Sequence, residues 1–153
     1  MKYFYTRIIL LLLLSVLIFT NQSQASNEIK RDGRFIAYDN GTVLDTKTNL
    51  MWAAKDNGSN IDPADAISYC QNYRAGGYTD WRMPTREELA TLYDDSITGQ
   101  NGFHLTKLIT LTWCCVWTSE QKREFSIFFN FNKGDFNLSH RAFMHALPVR
   151  SGK

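Results

Sequence analysis

Gly76-Gly77-Tyr78-Thr79-Asp80-Trp81-Arg82-Met83-Pro84-Thr85, followed by Glu88 and Leu89, joins a double-glycine turn, an aromatic extended segment and a capped helix within fourteen residues. Gly76 and Gly77 take positive φ readily, which ends a preceding helix and turns the chain. Thr85 is placed to cap a new helix, with Glu88 three residues on to close a capping box. Trp81 belongs in a core, Asp80 can satisfy turn amides, and Arg82 can pair with Glu87 or Glu88. The stretch reads as a structural corner: Gly76, Gly77, Asp80, Trp81, Arg82, Pro84, Thr85 and Glu88 are assigned to turn, core and cap.

Before the corner, Asp62 as cap, Pro63 at the first helical position and Ala66, Cys70 and Tyr73 on one face predict a helix from 62 to the double glycine. Earlier still, Phe35 to Tyr38, Thr42 to Leu44 and Leu50 to Ala53 read as short antiparallel strands separated by turn-type clusters. After the corner a second helix is expected from Arg86 to about Tyr93. Phe125, Ile127, Phe129 and Phe131 then alternate in period two, and Asn132-Lys133-Gly134-Asp135 turns the chain into Phe136 to Leu138, a hairpin. Leu147 and Val149 make a last strand. The expected class is α+β, with two helices among short antiparallel strands.

Residues 1–25 read as a secretory signal: Lys2 and Arg7 precede an apolar run from Ile8 to Phe19, and Ser23-Gln24-Ala25 offers small residues for cleavage. This run of twelve residues, broken only by Ser15, is short for a bilayer span, which takes roughly 20. The whole chain has a net charge of +2, which Lys2 and Arg7 account for. Residues 26–100 carry 8 basic and 12 acidic side chains, residues 101–153 carry 7 and 3. That balance argues against nonspecific nucleic-acid binding, which wants a strong basic excess, and leaves a mildly basic C-terminal half. Residues 26–33 form a polar lead-in, and 34–151 a single domain.

Three cysteines in a chain bound for an oxidising compartment predict one bridge and one free thiol. Adjacent Cα atoms lie about 3.8 Å apart, below the usual disulfide range, so Cys70 is expected to pair with Cys115, which shares strand parity with Leu111, Trp113 and Trp117, or with Cys114. His104, His140 and His145 show no metal-ligand spacing. The run from Asp56 to Asp62 alternates oxygen ligands, but a turn and a helix cap account for it, and an EF-hand loop would need an acid where Ile67 stands. No nucleophile elbow, phosphate loop or dinucleotide fingerprint occurs. No cofactor and no metal are expected.

The order Gly41-Thr42-Val43-Leu44-Asp45, Thr48-Asn49-Leu50-Met51-Trp52, Ala66 with Tyr69-Cys70, the corner, and Trp117-Thr118-Ser119 resembles the bacterial domain-of-unknown-function family 1566, over nearly all of residues 34–150. That family includes the C-terminal domain of the Legionella collagen-like adhesin. The resemblance implies a C-type lectin-like fold with paired terminal strands, and a secreted or periplasmic binding or adhesion module without catalytic activity. Its partner would be a polysaccharide or a surface protein, with no nucleic acid and no membrane contact after signal cleavage. The chain departs from the family where relatives carry a cysteine before Val-Arg and it has Pro148-Val149-Arg150. The calcium motifs of sugar-binding C-type lectins do not occur. The alternatives are an enzyme related to the formylglycine-generating group and a structural envelope protein. Loops on a fixed scaffold concentrate binding residues, so ligand contact is expected at Asn101, His104, Lys107, Lys133, His140, Arg141 and His145.

Overall fold

The computed structural model describes residues 26–140 and 143–152; the expected signal segment and Arg141 lie outside them. Strands β1 (Glu28–Asp32), β2 (Phe35–Tyr38), β3 (Thr42–Asp45), β4 (Leu50–Ala53) and β8 (Val149–Ser151) form one sheet in the order β1-β2-β3-β4-β8. Strands β5 (Cys115–Lys122), β6 (Phe125–Asn130) and β7 (Asp135–Ser139) form a second. All strand pairs in both sheets are antiparallel. The helices are short, α1 at Pro63–Asn72 and α2 at Arg86–Leu92.

This corrects the expected α+β, C-type lectin-like class: the described chain is mostly β, two antiparallel sheets with two short helices. The terminal strands do not pair. They lie on opposite edges of the five-stranded sheet, because residues 28–32 of the lead-in form β1 on the free edge of β2 while β8 adds to β4.

Local chemistry explains most elements. Asp62 accepts from the backbone N–H groups of Ala64 and Asp65 at 2.9 Å each, and Pro63 follows at the first helical turn, where it loses no hydrogen bond. The helix ends at Asn72, short of the glycines, because Tyr73 turns extended (φ −66°, ψ 144°) and lays its ring edge-on to Trp81 at 5.1 Å. In the C-terminal hairpin, Gly134 (φ +69°) donates to the Asn130 carbonyl at 2.8 Å and closes the turn.

Two apolar clusters fill the molecule. The larger joins Val43, Trp52, Leu89, Leu92, Leu105, Ile109, Leu111, Val116, Phe129, Phe131 and Val149 among its buried residues. The smaller packs Ala66 and Cys70 of α1 with Met83, Trp117 and Ala146. Val116 and Trp117 thus serve different clusters, so β5 is apolar on both faces.

The corner holds the last strand. Arg82 exchanges two backbone hydrogen bonds with Val149, at 2.9 and 3.0 Å, which covers the outer edge of β8. The buried guanidinium of Arg150 donates to both oxygens of Asp80, at 2.6 and 3.1 Å, and lies 3.8 Å from the centre of the Tyr78 ring. Asp80 therefore serves Arg150. Thr85 and Glu88 form the capping box of α2, and Glu88 also takes both forks of Arg82, at 2.6 and 2.7 Å.

The Arg150 hydrogen bond holds the Asp80 carboxyl below the usual carboxylate range. At Glu88 desolvation pushes the pKa up, but the hydrogen bonds from Arg82 and Thr85 outweigh it and the net shift is downward. Groups with a depressed folded pKa contribute stability above the unfolded carboxylate range near about pH 4 and lose it as pH falls through the folded value. The melting temperature should therefore stay level between about pH 7 and 5 and drop below about pH 4. Because Asp80 is solvent-exposed and screened, Glu88→Gln should account for more of that acid slope than Asp80→Asn. Identical acid slopes for wild type and Glu88→Gln would contradict this.

Candidate functional site

Three segments distant in sequence meet beside β5: residues 54–61, 110–117 and 143–146. Asp56 donates its backbone N–H to the Thr110 carbonyl, Ile61 to Met144, and Asn57 to Ala146, while His145 donates to Cys115 and Trp117 to His145. Their side chains lock the junction. Asp56 is buried and accepts from the Thr112 backbone N–H at 2.7 Å, the Thr112 hydroxyl at 2.9 Å, the Gly58 N–H at 3.1 Å and His145 Nδ1 at 2.8 Å. With the carboxylate as acceptor, Nδ1 of His145 carries the proton. Thr112 Oγ1 lies 3.1 Å from that same nitrogen. A general base would need its nucleophile on the other ring nitrogen, so the cluster is a buried clamp in which each oxygen of Asp56 is satisfied.

Directly after Thr112 the chain bends, exposes Trp113 and enters β5 through a disulfide between the adjacent Cys114 and Cys115. This overturns the expected bridge from Cys70 to Cys115 or Cys114: Cys70 is a free, buried thiol. It packs near Trp117, and Cys115 lies two residues, about 7 Å, further along the strand. Burial pushes the Cys70 thiol up to about 12, so it stays protonated at neutral pH. The parity reading fails at the same place. Leu111 and Cys115 are buried, but Trp113 is 51 % exposed, because β5 begins only at Cys115. Phe143, two residues before His145, is also exposed, at 58 %.

The residues expected to contact ligand fall into three groups. Asn101 sits at φ +61° in a single helical turn and donates to the Leu111 carbonyl at 2.7 Å. His104 donates its backbone N–H to Phe131, and Phe131 donates to Cys114. His104 also packs edge-on against Tyr93, 5.8 Å between centroids. Lys133 is exposed on the β6–β7 turn that Phe131 enters, and Lys107 is exposed on the connection that carries Asn101 and His104. His104 and Lys133 lie at one end of the three-stranded sheet, whereas Lys107 donates its backbone N–H to Asp32 of β1 at 3.2 Å. His140 belongs to the other end of β7, roughly 15 Å away, stacked at 5.1 Å on Phe125. His145 is buried in the clamp. The Asp56–Thr112–His145 cluster escaped sequence reading, since its members are 33 and 89 residues apart and only the junction unites them.

No curated protein and no solved structure is significantly similar to the chain. One family model does match, that of the Lcl C-terminal domain, over residues 41–150. The match begins at the turn before β3 and ends inside β8, spanning the corner, the junction and all of the second sheet. The chain therefore belongs to the Lcl C-terminal domain family, that of the C-terminal domain of the Legionella collagen-like protein.

Proposed function

We propose that this chain is an exported, non-catalytic binding domain of adhesin type, which contacts an extracellular polysaccharide or surface protein through the connection from 94 to 112 and the turns near Lys133 and His140. Family membership over residues 41–150 is the observation that carries this reading. Export rests on the N-terminal signal pattern, with Ser26 as the mature terminus and a single domain over 34–151, and places the domain in the periplasm or the medium. Among the described residues no helix is long and apolar enough to cross a membrane. The formylglycine-type alternative needs a reactive cysteine. Cys114 and Cys115 are joined to each other and Cys70 is buried, which weighs against it.

The ligand-facing surface is the connection from 94 to 112 with the turns near Lys133 and His140. Lys107 and Lys133 are exposed, and the sequence carries a further positive charge at Arg141. Asn101 and His104 hold the loops through backbone contacts. For an acidic polysaccharide, binding is expected to weaken with added salt, because exposed charges are screened beyond about 8 Å at physiological ionic strength. Heparin binding at two salt concentrations, compared between wild type and a variant with Lys107, Lys133 and Arg141 all changed to Ala, tests the surface. The variant should bind more weakly at an unchanged melting temperature. Equal binding would place the ligand elsewhere.

A further inference from the structure

Trp113 is held differently from an ordinary exposed aromatic residue. Its backbone is fixed on both sides: Thr112 is pinned through its N–H and hydroxyl to the buried Asp56, and Cys114 is closed into a disulfide ring with Cys115, whose carbonyl accepts from His145. Phe131 also donates to the Cys114 carbonyl at 2.8 Å. Yet the indole itself makes no hydrogen bond or ring contact among the described residues and is 51 % exposed. Folding thus orders the backbone that carries this side chain and leaves the indole half exposed, without a hydrogen-bond or ring partner among the described residues.

The surroundings narrow the occupant. The bridge between Val116 and His145 is parallel, and exposed Phe143 lies two residues before the paired His145. On the other flank, the Asp56–Ile61 loop carries exposed Ser59 and Asn60 next to the segment that Thr112 anchors. The exposed half of the Trp113 side chain, of an aromatic total of roughly 150–250 Å², gives an apolar patch on the order of 100 Å². A stable protein interface or a second copy of the chain needs about 800 Å² per partner. A single sugar ring needs far less: its C–H face covers an indole, and its hydroxyls remain free for amide and hydroxyl groups at the rim.

We propose that Trp113, on a backbone fixed by Asp56 and the Cys114–Cys115 ring, is a stacking site for the apolar face of a pyranose unit. Within the adhesin reading on which it rests, this site supplies affinity that does not depend on charge, alongside the basic loops. It therefore admits neutral glycans as well as acidic ones.

The test titrates cellohexaose, chitohexaose and a heparin hexasaccharide into the exported mature protein by calorimetry at low and high salt. Wild type is compared with Trp113→Ala, Trp113→Tyr and the Lys107, Lys133, Arg141 triple variant. At least one neutral hexasaccharide should bind wild type with little salt dependence. Trp113→Ala should weaken it by about tenfold or more at an unchanged melting temperature, a typical effect for a central aromatic anchor. Trp113→Tyr should recover part of it, and the triple variant should bind it like wild type. Glycan binding that Trp113→Ala leaves unchanged overturns the stacking site alone, as does a heparin-only response. Failure of wild type to bind any of the three overturns the site together with the glycan part of the proposed function. A change of oligomeric state in Trp113→Ala, read by light scattering, would show the patch to be a self-association contact and overturn the proposal.

Discussion

Asp56→Ala is expected to destabilise the protein by about 3–5 kcal/mol, because several buried donors lose their common acceptor at roughly 1–3 kcal/mol each. Four donors converge on this carboxylate: the Thr112 N–H and hydroxyl, the Gly58 N–H and His145 Nδ1. Removing the side chain takes the common acceptor from all four donors and opens space that water must fill. Urea unfolding measures the loss directly, and the melting temperature should fall by about 10 °C or more. Asp56→Asn keeps one acceptor oxygen and the shape, so its cost should be smaller. Hydrogen exchange gives a second readout: residues 54–61, 110–117 and 143–146 should lose protection together, since backbone hydrogen bonds couple all three. Wild-type stability in Asp56→Ala, or loss of protection confined to one segment, would mean the clamp does not hold the junction.

The second large effect is expected at the corner. Trp81 is 3 % exposed, donates its indole N–H to the Ala75 carbonyl at 3.2 Å and meets Tyr73 edge-on. Trp81→Ala should cost about 3–5 kcal/mol through lost burial and the cavity left behind. The two glycines separate conformation from packing. Both have positive φ, but a Cβ on Gly76 would meet the Tyr78 ring at 2.6 Å, whereas Gly77 faces open space. Gly77→Ala should therefore carry only the left-handed backbone cost of about 1–2 kcal/mol. Gly76→Ala should exceed it, because displacing Tyr78 also disturbs the ring under Arg150. Equal destabilisation by the two substitutions would show that Tyr78 moves freely and that the ring contributes nothing to holding β8.

The predicted effects at Asp56 and Trp81 differ in how visible their causes are from the chain alone. Thr85 and Glu88 are three residues apart, as are the atoms that satisfy the orphan N–H groups of a first helical turn, and Asp62 with Pro63 marks the other helix start equally plainly. The hairpin of Phe125 to Leu138 is legible because alternating aromatic residues and a glycine turn are local signals. The Lcl family likeness is likewise carried by short runs such as Gly76 to Thr85. These features depend on neighbours within a few residues, where covalent geometry and backbone hydrogen bonding already restrict the choices.

Tertiary contacts decided the rest. β1 arises from a polar segment with four exposed residues, and nothing in its own composition calls for a strand; the unpaired edge of β2 supplies the partner. The terminal strands went to opposite edges because Arg82 occupies the outer side of β8, a choice invisible in either segment. The disulfide follows the same rule. Cys115 is buried as its strand position predicts, but α1 sets Cys70 against Trp117, and the bend at Thr112–Cys114 takes Trp113 out of the buried row. That bend exists because Asp56 and His145, 89 residues apart, hold Thr112. Sequence by itself determined caps, turns and the periodicity of single elements, whose free energies are local. Strand order, cysteine pairing and the exposed Trp113 were left to the fold, because each depends on which distant donors and apolar faces are brought within a few ångströms.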